Sequence, residues 1–135
     1  MLLVKTKLGS SKIHGIGLFA DQFIKKGTIT WRFEPHFDLY LEPHKISKMP
    51  RIKRNFFYHF SYLSKKSGRY IFCIDNTRFI NHSSNPNIDS THVLPGDLEV
   101  CDMAKRDIKK GEEITVDYKE IDALDAKSFE KYLHE

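Results

Sequence analysis

The sequence predicts a single, mostly β domain that carries one inserted helix and one C-terminal helix. Three observations predict this fold class. The 135 residues, of which 40% are hydrophobic, suffice for one domain with one core. Short runs of β-branched and aromatic residues recur between turn residues. Only two stretches place apolar side chains at helical intervals.

The first third of the chain predicts three strands separated by turns. Weak alternation over residues 3–7 indicates an edge strand, and Gly9, Ser10 and Ser11 indicate a turn. Ile16, Leu18 and Phe19 begin a second β segment. A turn at residues 25–27 precedes a third strand over residues 28–33, and Pro35 interrupts that run.

The inserted helix is predicted over residues 51–65. Ile52, Phe56, Phe60 and Leu63 recur there at helical intervals, with Arg and Lys between them and no Gly or Pro inside. The aromatic side chains on this helix are expected to belong to the core.

The rest of the chain predicts strands again and then a final helix. Strands are expected over residues 70–74, 98–104 and 114–116, with a polar, turn-rich segment over residues 81–89. From about Ala123 onward, Phe129 with Leu124 or Tyr132 would line one face of a C-terminal helix.

Charge and cysteine usage restrict the class of protein. The net charge is +4, and the excess of Lys and Arg is concentrated between residues 45 and 69. This pattern fits a solvated face or a patch for an acidic partner or nucleic acid, and charge alone does not separate them. The apolar runs are too short for a membrane span, and the N-terminal residues do not resemble a signal peptide. Cys73 and Cys101 are expected to be reduced, buried thiols of an intracellular protein, cytoplasmic or nuclear. No CxxC pair or histidine spacing predicts a metal site.

Three segments carry candidate chemistry. Residues 13–20 (IHGIGLFA) contain a GxG, which lets a backbone approach a ligand closely but is also typical of a plain tight turn. Residues 78–87 (RFINHSSNPN) contain Asn81, whose amide can meet both a donor and an acceptor, although an ordinary Asn-rich loop is the alternative. Residues 104–118 form a turn and a short β run that ends at Tyr118, which also fits a solvated hairpin.

Taken together and in this order, GIGLFA, RFINHSSNPNI and RDIKKGEEITVDY resemble the SET-domain family of protein lysine methyltransferases. The resemblance covers nearly the whole chain and implies a SET domain over residues 3–118. Its fold is β-clip-like, with small, mostly antiparallel sheets. A pseudoknot in this fold packs the NHS segment against the segment that ends in tyrosine. The helix at residues 51–65 would be the family's variable insert, and residues 119–135 would form a helical tail that covers the active site.

The resemblance also implies a cofactor, S-adenosylmethionine, and roles for particular residues. The catalytic residue would be Tyr118, which also lies at the cofactor. The residues expected to bind the cofactor are His14, Gly15, Ile16, Gly17, Asn81, His82, Tyr118 and, from the tail, Phe129. The residues expected to line the lysine site are Tyr62, Phe79 and Val116. The substrate would be a lysine-bearing protein, with histones as the family's commonest targets, and no metal is expected.

The chain departs from the family at two places that affect function. Ser84 stands where many members have a cysteine, and residues 119–135 lack the zinc-binding cysteines, so the tail or a second subunit in a homodimer would cover the site. Val116 stands where the family often has Phe or Tyr, and this smaller residue without a hydroxyl predicts a di- or trimethylated product. The alternatives are a minimal SET-like binding module without catalysis and a nucleic-acid binder.

Overall fold

Four small sheets make up the described part of the chain, residues 1–123 of a computed structural model. The strands in this part are β1 (Thr6–Ser10), β2 (Ile16–Ala20), β3 (Ile29–Trp31), β4 (Leu39–Leu41), β5 (Ser61–Leu63), β6 (Tyr70–Phe72), β7 (Asn81–His82), β8 (Ile88–Asp89), β9 (Asp102–Ala104) and β10 (Thr115–Val116). The helices are α1 (Pro43–Ser47), α2 (Arg51–Phe60), a 3₁₀ helix (Asn76–Phe79) and α3 (Tyr118–Ile121). No helix of these residues is long and apolar enough to span a membrane.

Three of the sheets are antiparallel. Strands β1 and β2 form a hairpin in which Ser10 pairs with Ile16, and Gly15 closes the loop between them with a φ of 45°. The second sheet has the order β3-β9-β8 and the third has the order β4-β6-β5. The expectation of a mostly β fold built from small antiparallel sheets is therefore confirmed.

The fourth sheet joins distant parts of the chain in parallel. Asn81 and His82 of β7 pair with Thr115 and Val116 of β10. This is the expected contact between the NHS segment and the segment that ends at Tyr118. It places the two most polar motifs of the sequence side by side.

Two apolar clusters form the core, and the site lies between them. The first contains Val116 and Tyr118, together with the buried residues Leu18, Ala20, Ile24, Ile88, Ala104, Ile108 and Ile114. The second contains Trp31, Phe33, Ile71 and Cys73. Both cysteines are buried and free, as expected.

The predicted helix at residues 51–65 is present but shorter, because α2 ends at Phe60. Ser61 takes up an extended conformation and pairs with Phe72, so the following residues join the third sheet as β5. The helical spacing of apolar residues therefore extends as far as Leu63, beyond the end of the helix itself. Residues 61–63 form a strand in spite of this spacing, because they pair with β6. The expectation of one inserted helix was also incomplete, since α1 precedes α2. Pro43 at the first turn of α1 is the signal that would have identified it.

The surface of α2 contradicts the expectation that its aromatic side chains belong to the core. No residue of this helix is buried. Ile52 is 86% exposed and Phe56 is 44% exposed, although the Phe56 ring still contacts the ring of Phe72, with centroids 5.7 Å apart. The helix therefore packs on the third sheet by a partial aromatic contact and exposes basic and apolar side chains.

The first strand is displaced from its predicted position. We expected a strand over residues 3–7 and a turn over residues 9–11, but β1 spans Thr6–Ser10. The N-terminal residues instead lie beside β3, where the Leu3 N–H donates to the Thr30 carbonyl at 2.8 Å.

Candidate active site

The GxG loop is fastened to the NHS motif by the side chain of Asn81. Its amide nitrogen donates to the carbonyl oxygens of His14 and Ile16, each at 3.2 Å, and to Oε1 of Glu113 at 2.9 Å. Asn81 is buried, and its position is fixed by the pairing of β7 with β10. The amide therefore holds two carbonyls of the loop and one carboxylate in a single cluster.

Glu113 forms the other half of this cluster, although no motif in the sequence predicted a role for it. Its carboxylate accepts hydrogen bonds from Ser11 Oγ at 2.8 and 2.9 Å. A Cβ at Gly17 would lie 2.2 Å from Oε1 of Glu113, which is closer than any real contact. Gly17 is thus required because the carboxylate occupies the space that a side chain would fill. The only feature of the sequence that could have indicated this role is the pair of consecutive glutamates in the third motif.

Asn87 explains the rest of the polar motif. Its side chain donates to the Glu113 carbonyl at 2.8 Å and accepts from the Thr115 N–H at 2.9 Å. These two hydrogen bonds join the loop after β7 to β10. The Asn-rich segment is therefore a set of backbone clamps and not an ordinary solvated loop.

His82 and Tyr118 meet on the other side of β7. Nδ1 of His82 accepts a hydrogen bond from the backbone N–H of Tyr118 at 3.1 Å, and the two rings are 5.3 Å apart. The Tyr118 hydroxyl donates to the Ile80 carbonyl at 2.6 Å. The phenol is therefore held at both ends, by its backbone and by its hydroxyl group.

A cavity of about 40 Å³ opens beside the Tyr118 ring. Its wall includes members of both core clusters, namely Val116 and Tyr118 from the first and Trp31 and Cys73 from the second. The wall is completed by Phe60, Tyr62, Thr77, Arg78, Ile80, Val100, Asp102, Ile121 and Asp122. The wall is thus mostly apolar, with a few polar groups among aromatic rings, which is typical of a ligand site.

Burial controls the protonation of the polar groups in this wall. It raises the pKa of the Tyr62 hydroxyl and of the Cys73 thiol well above their ordinary values, so both stay protonated at neutral pH. Burial also raises the pKa of the Asp102 carboxyl to about 6.

The structure brings most of the predicted site residues together. His14, Gly15, Ile16 and Gly17 lie in or beside the loop that Asn81 fastens, and Tyr62, Val116 and Tyr118 share the cavity wall. Phe79 lies beside the cavity and not in its wall, and its ring contacts Phe60 at 5.7 Å.

The start of the predicted tail also contributes to the cavity, through Ile121 and Asp122. Ala123 then donates its N–H to the Leu63 carbonyl at 2.7 Å. Phe129 and the rest of the predicted C-terminal helix lie outside the described residues.

The family model of the SET domain matches residues 15–119. The histone-lysine N-methyltransferase trr of Drosophila melanogaster is 32% identical over 125 residues, covering 83% of this chain and 5% of that protein. The N-lysine methyltransferase KMT5A-A of Danio rerio is 32% identical over 117 residues, covering 77% of this chain and 32% of that protein. The chain therefore spans less than a third of the length of these relatives.

A solved structure shows the same fold. It is the crystal structure of a Plasmodium falciparum protein described as a histone methyltransferase, with a TM-score of 0.57 and 20% sequence identity. The alignment covers 87% of this chain and 95% of that one. The motifs, the parallel β7–β10 pairing and the family model agree, and the chain belongs to the SET-domain family.

Proposed function

We propose that this protein is a protein lysine N-methyltransferase that uses S-adenosylmethionine. The observation that carries the proposal is the pairing of β7 with β10, which sets the Asn81 cluster on one side and the Tyr118 cavity on the other. A methyl donor bound at the first and a lysine side chain inserted into the second would meet at Tyr118. The similarity to histone-lysine methyltransferases supports the same reaction.

The loop around His14 to Gly17 fits the proposed cofactor. Asn81 uses its amide nitrogen to hold the loop, and no protein hydrogen bond of the described residues reaches its Oδ1, which is free to accept from the amino group of a ligand. Space beside Gly15 is open, since a Cβ there would meet nothing within 4 Å. The bound cofactor would supply an electrophilic methyl group on a sulfonium sulfur. We place His82 and Phe129 at the same ligand, Phe129 through the tail.

The residues of the cavity would orient the lysine amine and exclude water. The Tyr118 hydrogen is committed to the Ile80 carbonyl, so the phenol oxygen acts as an acceptor toward the amine. Tyr62 and Val116 would line the path of the lysine side chain, with Phe79 supporting the ring of Phe60. Val116 leaves more room than an aromatic residue, which favours a di- or trimethylated product.

The target is proposed to be a histone or another lysine-bearing protein, modified inside the cell and, for a histone, in the nucleus. The tail at residues 119–135 or a second copy of the chain in a homodimer would cover the site. A SET-like binding module without catalysis is the alternative function. A binding module would not need Tyr118 to lie at a cavity, so this arrangement supports the methyltransferase.

The decisive experiment is Tyr118→Phe, assayed on purified core histones with labelled S-adenosylmethionine. The phenol ring stays while the hydroxyl is removed, so the fold and cofactor binding should persist. Turnover should fall at least about tenfold, which corresponds to about 1.4 kcal/mol of barrier. A parent protein that binds the cofactor but modifies no histone and no protein of a cell lysate would support the binding module instead.

A nucleic-acid docking face is the second function that a specific observation favours. No Asp or Glu lies between Glu42 and Asp75, while this stretch carries the cations Lys45, Lys48, Arg51, Lys53, Arg54, Lys65, Lys66 and Arg69. Among the ion pairs of the described residues, only Arg69 of this set takes part, with Glu42 at 3.1 Å. An unneutralised basic face with exposed aromatic side chains on α2 fits a phosphate backbone.

Fluorescence anisotropy with a short labelled DNA duplex tests this second function. The double variant Arg51→Glu with Lys53→Glu should weaken binding strongly, and the affinity of the parent should fall steeply with salt. Lys25→Glu with Lys109→Glu changes the net charge equally at exposed positions elsewhere and should weaken binding much less. Equal losses in both double variants would mean that only net charge matters and would refute a defined docking face.

A further inference from the structure

The wall of the cavity contains a buried carboxylate that the proposed reaction has not yet used. Asp102 lies on β9, opposite Trp31 of β3, and is 9% exposed. Its side chain shares the cavity wall with Tyr62, Val116 and Tyr118. A carboxylate in a mostly apolar wall is costly and is normally paired.

Asp102 has a hydrogen-bond donor but no counter-ion at contact distance. Ser90 Oγ donates to Oδ1 of Asp102 at 2.7 Å. Among the ion pairs of residues 1–123, none includes Asp102. The protein therefore stabilises this charge by one hydroxyl group in contact and by the N-terminal ammonium from a distance.

Three further polar groups in the same wall lack partners. Trp31 Nε1, Thr77 Oγ1 and Arg78 Nε are buried and form no hydrogen bond with the described residues. Buried polar atoms are nearly always satisfied in native proteins, so their clustering around one cavity indicates a polar ligand group or water there. A volume of about 40 Å³ has room for about three water-sized groups, at roughly 10–15 Å³ each.

We propose that Asp102 binds the ammonium group of the substrate lysine in this cavity and accepts its proton. This inference rests on the proposed methyltransferase function and deepens it. One N–H bond of the ammonium breaks and an O–H bond forms on Asp102, while the electron pair stays on nitrogen and becomes the nucleophile. Transfer of the methyl group would then form a C–N bond while the C–S bond of the donor breaks and its electron pair stays on sulfur. The products would be a charged methylammonium and a neutral thioether, and Asp102 would return its proton to water.

The buried setting makes this proton transfer feasible. In water a lysine ammonium holds its proton far more tightly than a carboxylate does. Inside an apolar cavity the charged pair loses its hydration, whereas the neutral amine and carboxylic acid need little. Tyr62 and the apolar wall therefore shift the balance toward the neutral pair.

Burial and nearby charges together set the pKa of the Asp102 carboxyl. Burial raises the pKa of its carboxyl to about 6, and Glu120 and Asp89 act in the same direction, while Ser90 and the N-terminal ammonium oppose the rise. The wall also contains Tyr62 and Cys73, whose pKa values burial raises so that both stay protonated, together with Tyr118, Arg78 and Asp122.

The pH dependence of single-turnover methylation tests the proposal, with purified core histones and labelled S-adenosylmethionine between about pH 5.5 and 9.5. Asp102→Asn keeps the shape and can still accept from Ser90. It should reduce the rate near pH 7 by about 10²-fold, and its rate should recover as pH rises, because only bulk deprotonation then supplies the amine. Asp21→Asn removes a largely exposed carboxylate outside the cavity and should retain the parent's profile.

Ser90→Ala is the second variant and retains the carboxylate. Because the Ser90 hydrogen bond lowers the pKa of Asp102, its loss should move the acid limb of the profile to higher pH. A parent-like rate and profile in Asp102→Asn, or, if that variant does not fold, an unmoved limb in Ser90→Ala, would overturn the inference while the methyltransferase function stands. A parent protein that transfers no methyl group would overturn both.

Discussion

Replacing Asp102 by Asn should stabilise the fold at neutral pH but not in acid. Burial raises the pKa of this carboxyl from 3.8 to about 6. The unfolded chain therefore ionises first, and the folded state loses stability as pH rises from about 4 to about 6. At 1.36 kcal/mol for each unit of pKa, the loss amounts to about 3 kcal/mol at pH 7.5. Asn carries no charge, so the variant should recover up to that amount.

Urea unfolding followed by circular dichroism at about pH 3 and pH 7.5 measures this effect. The free energy of unfolding of Asp102→Asn should exceed that of the parent at pH 7.5 and approach it at about pH 3, where Asp102 is mostly protonated in the folded and unfolded states. Asp89 provides a control of opposite sign, because hydrogen bonds from Thr91 and the nearby His92 lower its pKa despite partial burial. Asp89→Asn should therefore lose stability at pH 7.5. A difference between Asp102→Asn and the parent that does not change with pH would refute the reasoning.

Three other substitutions test the assigned site. Asn81→Ala should weaken S-adenosylmethionine binding, measured by calorimetry, by about tenfold or more. It leaves Glu113 and two loop carbonyls without their hydrogen-bond donor, a loss of about 1–3 kcal/mol. Unchanged affinity in a folded variant would contradict the assignment. Gly17→Ala should lower both the melting temperature and cofactor affinity, since the new Cβ collides with Oε1 of Glu113. Gly27→Ala meets no atom within 4 Å but strains a backbone with a φ of 87°, so it should lower the melting temperature and leave cofactor affinity unchanged. Val116→Tyr should shift the product toward fewer methyl groups in mass spectra over a time course, and an unaltered distribution would show that Val116 does not set the size of the lysine site.

The ordered motifs of the sequence predicted the fold class and the β7–β10 pairing around which the candidate site is built. The pairing of the NHS segment with the segment before Tyr118 could be anticipated because both motifs are recognisable from local sequence. Strand β5 could not be anticipated from the sequence, because residues 61–63 continue a helical spacing and become a strand only by pairing with β6. Local pattern carries no information about such a partner.

The roles of Glu113 and Asp102 depend on contacts between residues far apart in the chain. Glu113 looks like one of many surface carboxylates until Ser11 and Asn81 are seen to donate to it. Asp102 lies in an alternating strand pattern, which does not reveal that it lines the cavity and accepts a hydrogen bond from Ser90. Neither position could be identified without the folded arrangement.

The cluster of Ser11, Asn81 and Glu113 has a consequence for synthesis of the chain. Ser11 and Glu113 are separated by 102 positions, and Asn81 bonds to His14 across 67 positions. Forming such distant contacts requires the closure of large loops, which lowers the entropy of the chain before the contacts add stability. These contacts therefore form late in folding. A ribosome must release residues beyond Tyr118 before the two halves of the site can join. Nascent chains should therefore gain affinity for S-adenosylmethionine in a single step once Tyr118 has left the ribosome, and ligand capture would report translation through the last motif.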